Sequence, residues 1–365
     1  MNTQDEIGFY IHIPFCARKC FYCDFNSVEG QAGLIDGYVK SLVREIEFRK
    51  ISDRTVTTIF MGGGTPSVLE PRHVDSILGA VWQNFTVASN AEVSMEMNPE
   101  SVTAKKLAGY RKTGVNRASL GVQSLNDDEL KFLQRVHTAT EAREALRLVL
   151  DAGFVSVSAD MMFNLPGQSV NGWLGKLSEI GNSGISHISC YELTAEPSTP
   201  LGRSVRDGTL TLQDRGDLFF DETERLLEGL GVAHYEISNF AKDGHECRHN
   251  VGYWEQRDFS GVGAGATGSV NGVRWENIKN VGAYMKAVAK TSDPTGNIET
   301  LTCEMIKDER LMMGLRLKKG IHFGAGEIDE KIEKLINNGL LVYDGSHLFA
   351  TKTGFRLLDS VLASI

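Results

Sequence analysis

Three cysteines, Cys16, Cys20 and Cys23, fall within eight residues in the segment Tyr10-Ile-His-Ile-Pro-Phe-Cys-Ala-Arg-Lys-Cys-Phe-Tyr-Cys. Gaps of three and two residues let one loop wrap a compact metal centre. Three thiolates can hold three corners of an iron–sulfur cubane, a [4Fe–4S] cluster. The fourth iron then keeps an open coordination position, as catalytic metal sites require. Amino and carboxylate groups of a small molecule can chelate there. Zinc is the competing reading; it would want a fourth ligand, and His12 is the nearest candidate.

Other residues suited to holding a small polar molecule follow downstream. Gly62-Gly63-Gly64-Thr65-Pro66 includes side-chain-free residues, which let the backbone approach a ligand closely. Glu96, Gln123 and Asp160 are polar side chains within or beside apolar runs. Arg135, in Gln-Arg-Val-His, can pair with a carboxylate through two parallel hydrogen bonds. Each of these, taken singly, can also be a structural polar group.

The elements that must position them are legible as alternation. Short β-branched, apolar runs occur at Phe9–Ile13, Thr58–Met61, Glu92–Met97, Arg117–Val122, Val155–Phe163 and His187–Leu193, with a further one at Ala233–Ile237. Helical patterns lie between them, at Ile35–Arg49, Arg72–Asn84, Ala104–Lys112, Thr138–Ala152, Asn171–Ser183 and Leu212–Leu230. This order predicts an α/β fold, a partial (β/α)6 TIM-like barrel with its chemistry at the carboxyl ends of the strands. Residues 1–291 are assigned to the barrel. Ser292–Glu299 reads as a linker, and 300–365 as a small α+β winged-helix-like domain: helices at Glu304–Leu317 and Glu327–Asn338, a hairpin over Leu340–Ala350, and a closing helix at Thr353–Leu362.

A net charge of −9 over 365 residues leaves no electrostatic footprint for nucleic acid, and the tail carries nine acidic and nine basic residues. No apolar run approaches the length of a spanning helix. The polar Met1–Glu6 lacks the pattern of a secretion signal. The remaining cysteines, Cys190, Cys247 and Cys303, are scattered, unlike a disulfide framework. A reducing, cytoplasmic address is expected.

CxxxCxxC after a first strand resembles the signature of the radical-SAM superfamily. The resemblance implies a [4Fe–4S] cluster on Cys16, Cys20 and Cys23 with S-adenosylmethionine (SAM) on the free iron. Members reduce the cluster, pass an electron to the sulfonium and release a 5′-deoxyadenosyl radical. By the same resemblance Tyr10 joins the SAM contacts, Tyr22 packs near the adenine, and Gly63, Gly64 and Thr65 hold the amino group. Glu96 and Gln123 face the methionine and ribose, Asp160 the adenosine, and Arg135 the carboxylate.

The longer order IHIPFC, GGGTP, MEMNPE, GVQS, RVHT and DMMFNLPGQ resembles the oxygen-independent coproporphyrinogen III dehydrogenases and their relatives. The dehydrogenases carry another cysteine two residues after the third; here that position is Phe25. His249-Asn-Val-Gly-Tyr253-Trp254 resembles the HNxxYW signature of HemW-type heme chaperones, which implies heme binding, delivery to respiratory heme proteins, homodimerisation, and peripheral placement at the inner face of a membrane. An imidazole can ligate heme iron, and Tyr253 and Trp254 can stack on the macrocycle. Cys247 and His245 are alternative ligands; capping of a loop beside core aromatics is the plainer reading of the segment. Radical conversion of a tetrapyrrole, with coproporphyrinogen III the first candidate, is the alternative function. Gly263-Ala-Gly-Ala-Thr-Gly268 fits a dinucleotide fingerprint, but no helix is expected after it, and a glycine-rich wall beside the HNxxYW segment is the better reading.

Overall fold

The computed structural model describes residues 5–50 and 53–365; Met1–Gln4, most of the polar N-terminal stretch, lie outside the described residues. Six strands lie side by side in chain order, all parallel: β1 (Glu6–Ile13), β2 (Thr55–Gly63), β3 (Thr86–Met97), β4 (Arg117–Gln123), β5 (Ser156–Phe163) and β6 (His187–Glu192). The crossovers carry α1 (Ile35–Phe48), α2 (Pro71–Asn84), α3 (Ala104–Lys112), α4 (Ala139–Asp151) and α5 (Val170–Gly181), with α6 (Gly216–Gly229) after β6.

These helices start where their sequences provide caps. Thr103, Thr138 and Ser169 each accept a backbone N–H from the first turn, and Glu141 closes a capping box with Thr138. Along α4, Ala142, Ala145, Leu146 and Val149 form one buried stripe. It packs into the core with the outward residues of the strands, among them Ile59, Met61, Ala118, Leu120, Val157 and Ala159.

The inward faces differ. Glu92, Ser94 and Glu96 on β3 alternate with buried apolar residues, as do Arg117 and Ser119 on β4, Ser156, Ser158 and Asp160 on β5, and His187 and Ser189 on β6. Barrels of this kind usually fill that space with branched aliphatic side chains. Here the barrel interior is polar.

The sheet extends beyond the six strands. On one side β7 (Ala233–Glu236) and β8 (Asn239–Ala241) add an antiparallel pair beside β6. Between them and the other edge, the chain forms the short helix α7 (Arg248–Trp254). Then β9 (Phe259–Val262) joins β1 in parallel, and β10 (Thr267–Val270), β11 (Val273–Asn277) and β12 (Thr295–Thr300) continue antiparallel, giving twelve strands in one sheet. The expected linker Ser292–Glu299 therefore contains most of an edge strand. Its residues are largely exposed, so no apolar alternation marks it.

The tail folds as helix α8 (Cys303–Gly314), strand Ile321–His322, helix α9 (Glu330–Asn337), hairpin Leu341–Tyr343 with His347–Ala350, and two short helices, Lys352–Arg356 and Leu358–Leu362. Leu311, Leu315, Ile332, Leu335, Leu348 and Leu358 make its own core. Ion pairs join the tail to α6: Lys318 and Lys352 reach the buried Glu224 at 2.8 and 3.0 Å, and Arg356 meets Asp221.

Candidate functional site

A cavity of about 360 Å³ opens at the carboxyl ends of the parallel strands. Cys16, Cys20, Cys23, Tyr22, Gly63, Gly64, Thr65, Glu96, Gln123, Arg135 and Asp160 all line it. Residues spread over 145 positions of sequence thus meet on one wall because each follows or ends a parallel strand.

The cysteine loop leaves β1 and turns tightly, with the Cys23 amide donating to the Cys20 carbonyl at 3.2 Å. Burial pushes the Cys16 thiol up and the Cys23 thiol up to about 11, so metal binding must displace their protons. Thr65 Oγ1 lies 3.6 Å from Cys16 Sγ, and an Arg135 N–H donates to Cys20 Sγ at 3.4 Å. Both contacts favour sulfur carrying negative charge. Among the described residues no three Cys, His, Asp or Glu side chains gather around one ion position. A cubane needs no such point, because each thiolate takes a different iron. His12, the fourth ligand that zinc would want, has both ring nitrogens engaged: Nδ1 with the Tyr10 hydroxyl at 2.9 Å and Nε2 with the Asn26 carbonyl at 2.8 Å. The donor set fits the cluster and not zinc.

Two features of the wall fit a zwitterionic, cationic ligand such as SAM. Arg135 is half-buried, with Nη2 on the Asn98 side chain at 2.8 Å and the Gly121 carbonyl at 3.0 Å, while its buried Nε has no partner. That spare donor suits a carboxylate. Glu96 and Asp160 stand near each other. Burial, and secondarily Asp160, push Glu96 up to about 8, although the Gly63 amide donates to it at 3.1 Å. Burial also raises Asp160, against hydrogen bonds from Ser189 and Ser119, the latter at 3.0 Å. A positive ligand would draw both acids back to the ionised form.

The packing gives the glycines a reason of its own. A Cβ on Gly63, which has φ +116°, would strike the His12 ring at 2.5 Å. On Gly64 it would meet the Phe15 carbonyl oxygen at 2.8 Å and Cys16 Sγ at 3.0 Å. The segment is glycine-rich so that β2 can pass against the cysteine loop itself. Gln123 ends β4 with φ +64°, a costly conformation for a non-glycine residue, where the strand's register shifts.

Tyr10 does not line the cavity; inward alternation carries its ring into the barrel, parallel to Phe60, with the hydroxyl on His12. Asn98 was missed: it links Arg135 to Thr65, accepting from the first at 2.8 Å and donating to the second at 3.1 Å. Its place two residues after Glu96, at the same strand end, was the available signal. Tyr191, on the cavity wall, follows by alternation from Ser189.

His249 and Cys247, the heme-ligand candidates, lie apart from the cavity. Helix α7 closes the opposite end of the barrel, far along the strands from the cysteines. His249 Nδ1 meets Thr58 Oγ1 at 2.9 Å, and Nε2 meets the Tyr253 hydroxyl at 2.9 Å. The ring stacks on Phe60 and is buried, which pushes its pKa down to about 3. Cys247 points at Glu92, and burial pushes its thiol up to about 12, leaving it protonated. In this arrangement both side chains are engaged within the protein. Tyr253 is committed to His249, and Trp254 carries the Arg316 guanidinium 5.7 Å from its ring centroid. The segment is the barrel floor. Replacing His249 by Ala should lower unfolding stability by about 3 kcal/mol, since it opens a cavity and strands Thr58 and Tyr253; urea unfolding measures this, and an unchanged midpoint would remove the floor assignment. The glycine-rich wall at Gly263–Gly268 lies at the cysteine end instead, where Asn26 donates to the Ala264 carbonyl at 2.8 Å.

This fold and site define a protein of the radical SAM superfamily: residues 10–174 match that family and 306–357 match the HemN C-terminal domain. A solved structure of coproporphyrinogen III oxidase (HemN) from Escherichia coli, described as a radical SAM enzyme, superposes with a TM-score of 0.85 over 99% of this chain and 90% of that one, at 21% identity, a likeness of fold. In sequence the chain is 35% identical to "Heme chaperone HemW" of Mycobacterium tuberculosis, over 98% of this chain and 94% of the relative. It is 40% identical to "Heme chaperone HemW" of Escherichia coli over 74% and 72%. It is 34% identical to the mitochondrial "Radical S-adenosyl methionine domain-containing protein 1" of Danio rerio over 99% and 87%. The chain belongs to the HemW heme chaperone family.

Proposed function

We propose that the protein binds heme and delivers it to respiratory heme proteins, on a scaffold that holds a [4Fe–4S] cluster through Cys16, Cys20 and Cys23. The observation that carries this reading is end-to-end similarity, tail included, to proteins named heme chaperones. Residues 1–291 are the cofactor-bearing unit and 300–365 the appended module. SAM, when bound, supplies an acceptor for one electron from the reduced cluster. Arg135 would hold its carboxylate, and Glu96 with Asp160 would answer its positive charge. Tyr22, Gly63, Gly64, Thr65 and Gln123 shape the surrounding wall.

The cavity rim supports a flat, anionic macrocycle. Phe25, at 61% exposure, and Tyr191, at 41%, present aromatic faces on the wall, beside Arg18 and Lys19. Such rings can stack on a porphyrin, and the cations suit propionates. The enzymatic alternative, oxidative decarboxylation of coproporphyrinogen III, meets Phe25 where the dehydrogenases carry a further cysteine. Among the described residues no helix is long and apolar enough to cross a membrane. Delivery to respiratory clients therefore calls for peripheral contact at the inner membrane face, from a cytoplasmic pool; self-association through the cluster-bearing state belongs to the same reading.

Heme titration of the reconstituted protein should shift the Soret band with saturation near one heme per chain. An anaerobic assay with SAM, reductant and coproporphyrinogen III should leave all four propionates intact. No Soret shift would remove the chaperone reading, whereas loss of two carboxyls would replace it with the enzymatic one.

A further inference from the structure

Two openings flank the polar interior of the barrel. At one end is the acid pair of the cofactor cavity. At the other, β7 and α7 face the tail across a cleft of about 460 Å³, lined by Tyr235, Arg248, Val251, Leu317 and Lys318. Between them runs a row of hydrogen-bonding side chains on the inward faces of β5 and β6. Ser189 stands opposite Asp160 in the β5–β6 register, and its hydroxyl acts on the Asp160 carboxyl. Its hydroxyl lies 3.5 Å from Ser158 Oγ, at the outer limit of a hydrogen bond. Ser158 Oγ meets His187 Nδ1 at 2.7 Å, and His187 Nε2 meets the Tyr235 hydroxyl at 2.8 Å. Tyr235 lines the cleft.

We infer that this row is a proton path, Asp160–Ser189–Ser158–His187–Tyr235, by which the acid pair exchanges a proton with water in the floor cleft while ligand covers the cavity mouth. It rests on the reading that a cationic ligand, SAM, enters that cavity. Every member of the chain both donates and accepts, as relay requires. Hydroxyls pass one proton in and another out. His187 is buried, and desolvation keeps it neutral well below its ordinary range, so one ring nitrogen carries a proton and the other accepts one. In the outward step the proton leaves Asp160 for Ser189 Oγ. Ser189 gives its own to Ser158, and Ser158 gives its own to His187 Nδ1. His187 Nε2 releases its proton to the Tyr235 oxygen, and the Tyr235 proton passes to water. Net, one carboxyl becomes a carboxylate and one hydronium forms outside; rotation of the hydroxyls and a tautomer change restore the row.

The surrounding charges suit neutral carriers along the row. Asp160 is faced by Glu96, Arg117 and Arg135, and lies near Cys190 and Tyr191. His187 is faced by Arg117 and His245, which disfavour an imidazolium. Tyr235 is faced by Cys247, Glu236 and Arg117, and accepts the Cys247 amide at 3.1 Å. A row of plain packing residues would not need this alternation of serine, histidine and tyrosine where barrels ordinarily bury aliphatic side chains.

The test uses the cluster-reconstituted full chain and SAM at pH 7. Calorimetry in buffers of different ionisation enthalpy counts protons released, and stopped-flow with a pH-indicator dye times their appearance against ligand binding. Wild type should release protons at the rate of binding. Tyr235→Phe, which removes one oxygen, and Ser158→Ala, an independent link, should slow release tenfold or more while leaving the proton count and the SAM affinity unchanged. Release that keeps pace with binding in both variants would overturn the path. So would binding without any release in wild type. Absence of binding heat altogether would sink the SAM reading itself, and the path with it, and is recognisable as such.

Discussion

Replacing Cys20 by Ala, or Cys16 or Cys23 in turn, strips most of the iron and sulfide from the reconstituted protein. With three thiolates for four irons there is no spare protein ligand: among the six cysteines, Cys190 and Cys247 are buried elsewhere and Cys303 is in the tail. His12 cannot substitute, because both of its nitrogens are engaged. Loss of one corner leaves two irons exposed to solvent and chelators. Iron and sulfide analysis should fall from about four each per chain to well under one, and the signal of the reduced cubane in electron paramagnetic resonance should disappear. The barrel should still fold, since the loop lies above the core strands and none of the three belongs to the apolar core. Circular dichroism separates cluster loss from unfolding. Full iron retention in all three variants would end the cluster assignment.

SAM affinity should rise with pH between 6 and 8.5. Glu96 sits at about 8 when ligand is absent, so near neutrality the acid holds its proton. A ligand bearing positive charge favours the carboxylate, and binding therefore expels a proton. Below pH 8 the affinity should improve by up to about tenfold per pH unit, flattening above it. Asp160, raised in the same direction, adds to the slope. Glu96→Gln keeps the shape and removes the charge; its pH profile should lose most of its slope, and its affinity at pH 8.5 should fall by about tenfold or more. Equilibrium dialysis over this range decides the matter, and a flat wild-type profile would contradict it. The same sign governs the ligand-free protein: the folded state binds an extra proton between the ordinary carboxylate range and about pH 8, so this group's contribution to stability declines as pH rises through that window.

Much of the barrel was legible because its signals are local. Helix α3 spans Ala104–Lys112 as its pattern indicates, and the six parallel strands fall on the six apolar runs. The added strands β9 to β12 were not legible, because three of them are only four or five residues long and the edge strand β12 is exposed, which leaves no alternation in the chain. Glu96, Gln123, Arg135 and Asp160 could be picked out as polar residues at or near strand ends. Asn98, which ties Arg135 to Thr65, offered only its place two residues after Glu96, and a residue before Pro99 equally suits a turn.

The HNxxYW segment shows the limit most clearly. Its residue types suit heme, and its pattern helps to place the chain in its family, but a side chain's partners depend on what the fold packs against it. Helix α7 lands on Thr58 and Phe60, strand residues some 190 positions earlier, and this contact turns an available imidazole into a buried structural one. The three-thiol donor set at the cysteine loop was legible in the sequence alone, since spacing within one loop is a local property; that His12 is engaged elsewhere was not. Access, protonation and the polar row through the barrel were decided only in three dimensions, because desolvation and hydrogen bonding are set by neighbours distant in the chain.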